Sequence, residues 1–184
     1  MRVLLKLVLD CAPDDAWRAI RSPAVLTAVS APLTRFRSLE PAGFPDVWPA
    51  GPHHVMVSAA GLVDIGEQTI DISYPASVAA QRQPAASTGV RVIRDTGKGL
   101  SGPLALITRW EHTMTIASAP GGRTLYRDQL VFAAEPFTLL LWPLYWAFWQ
   151  WRAVGIKRLA PGWAASADAA SDPGGPPGQR PTDA

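Results

Sequence analysis

Residues 104–159 read LALITRWEHTMTIASAPGGRTLYRDQLVFAAEPFTLLLWPLYWAFWQWRAVGIKRL. Two strand-like runs, 104–117 and 123–134, flank Ser118-Ala119-Pro120-Gly121-Gly122, residues that tolerate turn dihedrals. The pattern predicts the last hairpin of an antiparallel sheet. In the first run Leu106, Thr108, Trp110, His112, Met114 and Ile116 share one face, opposite Arg109, Glu111, Thr113 and Thr115. In the second, Thr124, Tyr126, Asp128, Leu130 and Phe132 share a face opposite Arg123, Arg127 and Gln129. From Thr138 to Leu159 the period becomes helical, with Leu141, Trp142, Tyr145, Phe148, Trp149, Ile156 and Leu159 on one stripe. Pro143 falls in the first turns, where it is tolerated or bends the helix. The apolar sides of the two strands must face that helix.

Upstream, Val3, Leu5, Leu7 and Leu9 alternate with their neighbours as a first strand. Arg2 and the apolar run after it have the look of a secretory leader, but Lys6 and Asp10 interrupt it, and a cytoplasmic address is expected. Pro13 followed by Asp14 and Asp15 starts a short helix, and Ser22-Pro23 starts another. After Pro32 the runs 35–40, 53–60, 62–74 and 89–95 read as further strands, with Pro75–Thr88 as a loop. The expected fold class is α+β: a curved antiparallel seven-stranded sheet around a long C-terminal helix, with two short helices after the first strand. The domain should span 1–163. Beyond Trp163 only Ala, Ser, Asp, Gly, Pro and a few polar residues remain, so 164–184 is expected to be a disordered tail.

Composition narrows the function. A chain of 184 residues, 48% hydrophobic and 17% charged, is long enough to bury one sizeable core and too apolar to be disordered. The net charge of +2 is the sum of −2 in residues 164–184 and +4 elsewhere, too little and too scattered for a nucleic-acid face. Cys11 is the sole cysteine, so neither an intrachain disulfide nor a thiolate metal cluster is available. The uncharged run from Pro136 to Trp149 is shorter than the roughly 20 residues of a membrane span. Four of the eight Trp, however, lie between Trp142 and Trp151. One sheet face cannot cover a helix that is apolar around nearly its whole girth, and a ligand, a second subunit or a membrane surface is expected to share it.

The element order, one strand, two short helices, six strands and a long helix, resembles the helix-grip superfamily. That superfamily includes START lipid-transfer domains, the birch pollen allergen and bacterial polyketide cyclase/dehydratase-like (SRPBCC) proteins. The resemblance covers about residues 1–162 and has three local cues: Asp95-x-Gly97-x-Gly99, Trp110-x-His112 and Tyr126-x-Asp128. It implies an internal pocket for a small apolar or amphiphilic molecule such as a lipid, polyketide or isoprenoid, with no cofactor. It does not imply one activity, because one fold hosts many.

Several side chains are candidates for that pocket. With the turn centred near Pro120, His112 lies opposite Asp128 and Met114 opposite Tyr126. An acid beside a histidine fixes its tautomer, as proton transfer in a cyclase or dehydratase would need; the alternative is a buried pair that holds two strands in register. Arg152 projects onto the inner stripe, where a charge is costly unless paired. It could receive an anionic ligand head, close a salt bridge to Asp128, or reach past the helix edge. Trp110, Met114, Tyr126, Phe132, Tyr145, Phe148 and Trp149 are expected against the ligand beside it. His53 and His54 point to opposite faces of a strand and do not suggest a metal site; no metal is expected. Asp95-Thr96-Gly97-Lys98-Gly99 precedes a strand, not a helix, and is read as a turn. The competing function classes are a non-enzymatic carrier, a proton-transfer enzyme, and a module that meets a membrane surface or forms a homodimer through the Trp-rich helix.

Overall fold

A computed structural model describes residues 1–75 and 89–164. Strand β1 (Arg2–Leu9) places Val3, Leu5 and Leu9 in the interior. Helices α1 (Pro13–Ile20) and α2 (Pro23–Ser30) each begin on a proline, where the missing N–H costs no helical bond. Asp14 and Asp15 lie in the first turn of α1, and Ser22 holds the N-cap position of α2 without its hydroxyl capping anything.

The sheet continues with β2 (Thr34–Ser38), β3 (Gly51–Ala59), β4 (Val63–Ser73), β5 (Arg91–Asp95), β6 (Lys98–Gly99), β7 (Arg109–Ala119) and β8 (Arg123–Ala133). Its path runs β1-β8-β7-β5-β4-β3-β2, seven strands with antiparallel neighbours, and the two-residue β6 adds a side pairing to β4. Every neighbour along the meander is also a near neighbour in sequence except β1, which pairs with β8 from Arg2↔Val131 to Leu9↔Thr124. A bulge between Val57 and Ser58 on β3 adds curvature. Helix α3 (Thr138–Leu159) lies in the concave face and packs against α2 and β1. This is the α+β helix-grip arrangement the sequence predicts.

Two local expectations change. The run 104–117 does not extend as one strand: Gly102–Leu106 forms a 3-10 turn, Leu106 is exposed, and β7 starts at Arg109. A proline at the second position of that turn and a glycine at the first explain why apolar alternation did not make a strand there. The hairpin is centred on Gly121 rather than Pro120, because both Gly121 (φ +77°) and Gly122 (φ +71°) take the left-handed conformation. A one-residue shift of the centre moves each cross-strand partner by two. His112 therefore faces Leu130, Met114 faces Asp128 and Ile116 faces Tyr126.

Among the described residues the interior holds two apolar clusters. One gathers Val3, Leu5, Leu130, Phe132, Trp149 and Ala153 beneath β1 and β8, with Tyr145, Phe148 and Trp142 packed on it. The other joins α1, α2, β3, β4 and β5 through Val29, Val57, Ile70, Ile72, Ile93 and Ile156, and it takes in Trp163. The expected loop at 75–88 and the expected tail lie, from 76 to 88 and from 165 onward, outside the described residues.

Candidate functional site

The second cluster surrounds a cavity of about 810 Å³. Its walls are apolar side chains of α2, β3, β4 and β5 (Val29, Val57, Ile70, Ile72 and Ile93 among them), closed on one side by α3. Period-2 alternation delivers them: each strand sends every second residue inward. The cavity reaches the surface along α3, where its lining includes Leu33, Leu144, Trp151 and Val154, all exposed. Leu144 and Val154 are each 65% exposed, so the rim itself is apolar.

A polar cluster centred on Asp128 sits at this wall, and Asp95 also lines it. Asp128 is 1% exposed and accepts three hydrogen bonds: His112 Nε2 and Trp149 Nε1 reach Oδ1 at 2.8 Å each, and the Tyr126 hydroxyl donates to Oδ2 at 2.8 Å. His112 and Asp128 thus meet diagonally across the hairpin although the register does not set them opposite. Burial alone would raise the pKa of Asp128. The charge and hydrogen bond of His112, the charge of Arg152 and the Trp149 indole together hold it well below the usual carboxylate range. Burial, and then the Asp128 charge, pushes the Tyr126 phenol far above its usual value. Burial also pushes Tyr145 up to about 12.

Arg152 completes the group and is only 5% exposed. Its Nη2 is 3.9 Å from Asp128 Oδ2, an ion pair beyond hydrogen-bond reach, and its Cζ lies 4.9 Å from the centre of the Trp149 ring. Its Nε is buried without a hydrogen-bond partner.

Asp95, read from the sequence only as part of a turn, is a second buried acid. Asp95 Oδ1 accepts the Asp71 and Gly97 N–H groups at 2.9 Å, and Oδ2 accepts Trp110 Nε1 at 3.0 Å. Burial raises its pKa, against the lowering pull of the Gly97 N–H, the His112 charge, the Asp71 N–H and the Trp110 indole. The Asp-x-Gly-x-Gly segment is therefore a structural latch that orients Trp110. Its glycines are required by close approach: a Cβ on Gly97 would lie 1.7 Å from the Thr69 carbonyl oxygen, and one on Gly99 2.0 Å from that of Leu104.

The candidate residues divide by position. Trp110, His112, Met114, Tyr126, Tyr145, Phe148, Trp149 and Arg152 line the cavity. Asp128 and Phe132 do not. Asp128 stands behind the wall, where it positions other side chains, and Phe132 is fully buried with its ring 4.5 Å from Tyr145. Phe132 falls outside because it is packed into the filled cluster, against Tyr145. The sequence reading also missed the contribution of α2 and β3–β5, and Trp48, which lines the cavity from the loop before β3. The signal for Trp48 was a pair of aromatics, Phe44 and Trp48, in a Pro- and Gly-rich stretch. His53 Nε2 meets the Pro49 carbonyl at 3.1 Å and its ring lies 5.0 Å from Trp48, while His54 is exposed. Among the described residues no group of three or more His, Cys, Asp or Glu side chains could hold a metal ion. Nor is any described helix long and apolar enough to cross a membrane.

No protein-family model and no curated protein matches the chain. Solved structures match it across most of its length. Protein CV1439 from Chromobacterium violaceum superposes with a TM-score of 0.55 at 15% identity, covering 87% of this chain and 97% of that one. Hypothetical protein jhp0584 from Helicobacter pylori gives 0.59 at 8% identity, covering 87% and 88%. A truncated norcoclaurine synthase from Thalictrum flavum gives 0.54 at 11% identity, covering 86% and 92%. At these identities the likeness is one of fold: the chain shares the helix-grip architecture of these proteins.

Proposed function

We propose that this chain binds and carries a small apolar molecule, such as a lipid, polyketide or isoprenoid, inside the cavity between the sheet and α3, as a member of the START/SRPBCC superfamily. The observation that carries the reading is the cavity itself: about 810 Å³ of space walled by aliphatic and aromatic side chains. Ligand pockets run to roughly 300–1,000 Å³ with a few convergent polar groups, and the Asp128 cluster supplies such groups here. A well-packed interior would have closed this volume, since unfilled space forfeits dispersion contacts. Native mass spectrometry of purified protein, followed by organic extraction, tests the reading. The expected result is a retained apolar molecule, or uptake of one from an offered mixture. Neither retention nor uptake would count against a carrier.

A specific geometry favours a second reading, an enzyme of the cyclase or dehydratase type. His112 lines the cavity with Asp128 behind it, the arrangement of a base held by an orienting acid. Turnover of a polyketide-like substrate that depends on pH and disappears in His112→Gln would support it. The exposed apolar rim favours a membrane-surface contact through α3, by which a ligand could enter without crossing water. Co-sedimentation with liposomes in the absence of ligand tests that contact.

A further inference from the structure

We infer that the ligand carries a carboxylate, and that Arg152 is the residue that receives it. This rests on the carrier reading and adds the chemical class of the head group. The argument is a count of donors and acceptors. A guanidinium has five N–H donors and no acceptor, and an ionised carboxylate offers about four lone-pair sites. Three of the sites on Asp128 are already filled by His112, Trp149 and Tyr126. Asp128 therefore has about one acceptor position left, and at 3.9 Å Arg152 does not reach it. The Arg152 side chain makes no hydrogen bond to any described residue, its Nε is sealed from solvent, and its guanidinium lies over Trp149 at the cavity wall. The site has enough negative charge to hold the arginine in place and too few acceptors to satisfy it.

No described residue supplies acceptors to the terminal nitrogens of Arg152, and a group entering the cavity can do so. A carboxylate fits the planar fork by taking two parallel N–H bonds. Its single charge also fits a lone arginine whose charge is already partly offset by Asp128. Tyr145, whose side chain makes no hydrogen bond to a described residue, lines the same space and remains a protonated donor. The body of the ligand would extend from this point along Ile70, Ile72 and Ile93, where the lining is apolar.

The test compares cis-parinaric acid, a fluorescent polyene fatty acid, with its methyl ester, by titration into the full-length protein. Two charge-assisted hydrogen bonds should favour the acid by about tenfold or more in the wild type. Arg152→Met keeps an unbranched apolar stem, and in it the two affinities should converge through weakening of the acid alone. If that variant fails to fold, as judged by its melting curve, Arg152→Lys replaces it; loss of the fork should weaken the acid severalfold and spare the ester. Equal binding of acid and ester by the wild type overturns the anchor while leaving the carrier reading intact. So does an acid preference that persists unchanged in the variants. Binding of neither probe overturns both.

Discussion

The residues beneath β1 and β8 and those beneath β3, β4 and β5 are buried to the same degree, yet one group is filled and the other is hollow. Val3, Leu130 and Phe132 are each at most 2% exposed and do not line the cavity. Val57, Ile70 and Ile72 are each 4% exposed, and all three face open space. Low solvent exposure thus arises in two ways: by contact with other side chains, or by enclosure around a volume. The first stabilises through dispersion and transfer together. The second keeps the transfer part and forgoes contacts on one side, a loss that a ligand can make good. The division falls at Trp149, which packs with the filled cluster and also lines the cavity.

This contrast can be broken by substitution. Phe132→Ala, in the filled region, should cost about 3–5 kcal/mol, read as a large fall in the denaturation midpoint. A loss below about 1 kcal/mol would mean that this region too is loosely packed. Asp128→Asn should come next, at roughly 2–3 kcal/mol, because one of the three donors would then face an amide N–H and Arg152 would lose its counter-charge.

That variant has a pH signature whose sign can be worked out. The folded pKa of Asp128 is depressed, so its stabilisation is complete above the unfolded value of about 4 and is lost as pH falls below it. The deficit of Asp128→Asn relative to wild type should shrink on acidification from pH 7 to about pH 3. A constant deficit would remove the charge from the explanation. Asp95 acts in the opposite sense. Its pKa is raised, so its contribution is favourable at low pH and is lost as pH rises through the folded value.

On the hollow side, Ile72→Ala should cost about 2 kcal/mol, the lower end for an isoleucine, because part of its surface already faces open volume. Addition of a bound ligand should stabilise the wild type more than this variant. The smallest stability change is expected for Val57→Phe, at most about 1 kcal/mol, since the added ring can enter existing space. Its uptake of apolar probe should fall sharply nonetheless. A stability loss as large as that of Phe132→Ala would show that the space is not available.

Much of this arrangement was legible in the sequence. The change from period 2 to period 3.6 after Ala134 marked the end of the sheet and the start of α3, and the inner stripe from Leu141 to Ile156 is half-buried or buried as its spacing predicts. Residues on one face of each strand could be grouped, which turned His112 of β7 and Tyr126 and Asp128 of β8 toward the same interior. Register could not be read so closely, because two consecutive glycines permit turn conformations that a pattern of apolar residues does not distinguish. The cavity was legible only in part. Alternation says which side chains point inward but not whether they meet, and so the walls from α2 and β3–β5 and the displacement of Phe132 and Asp128 from the lining needed three dimensions. Asp95 was hidden for another reason: its partners are backbone N–H groups and an indole, which leave no charge pattern.

The pairing of β1 with β8 has a consequence for biosynthesis. Arg2 meets Val131, and between them lies nearly every other strand of the sheet. On a ribosome the first strand emerges with Val3, Leu5 and Leu9 unprotected and must wait for the last strand before it has a partner. Contacts so distant along the chain fold slowly, and an apolar strand left waiting invites association with other chains. The alternation that secures this strand in the finished sheet therefore leaves it exposed to association with other chains until the last strand is made.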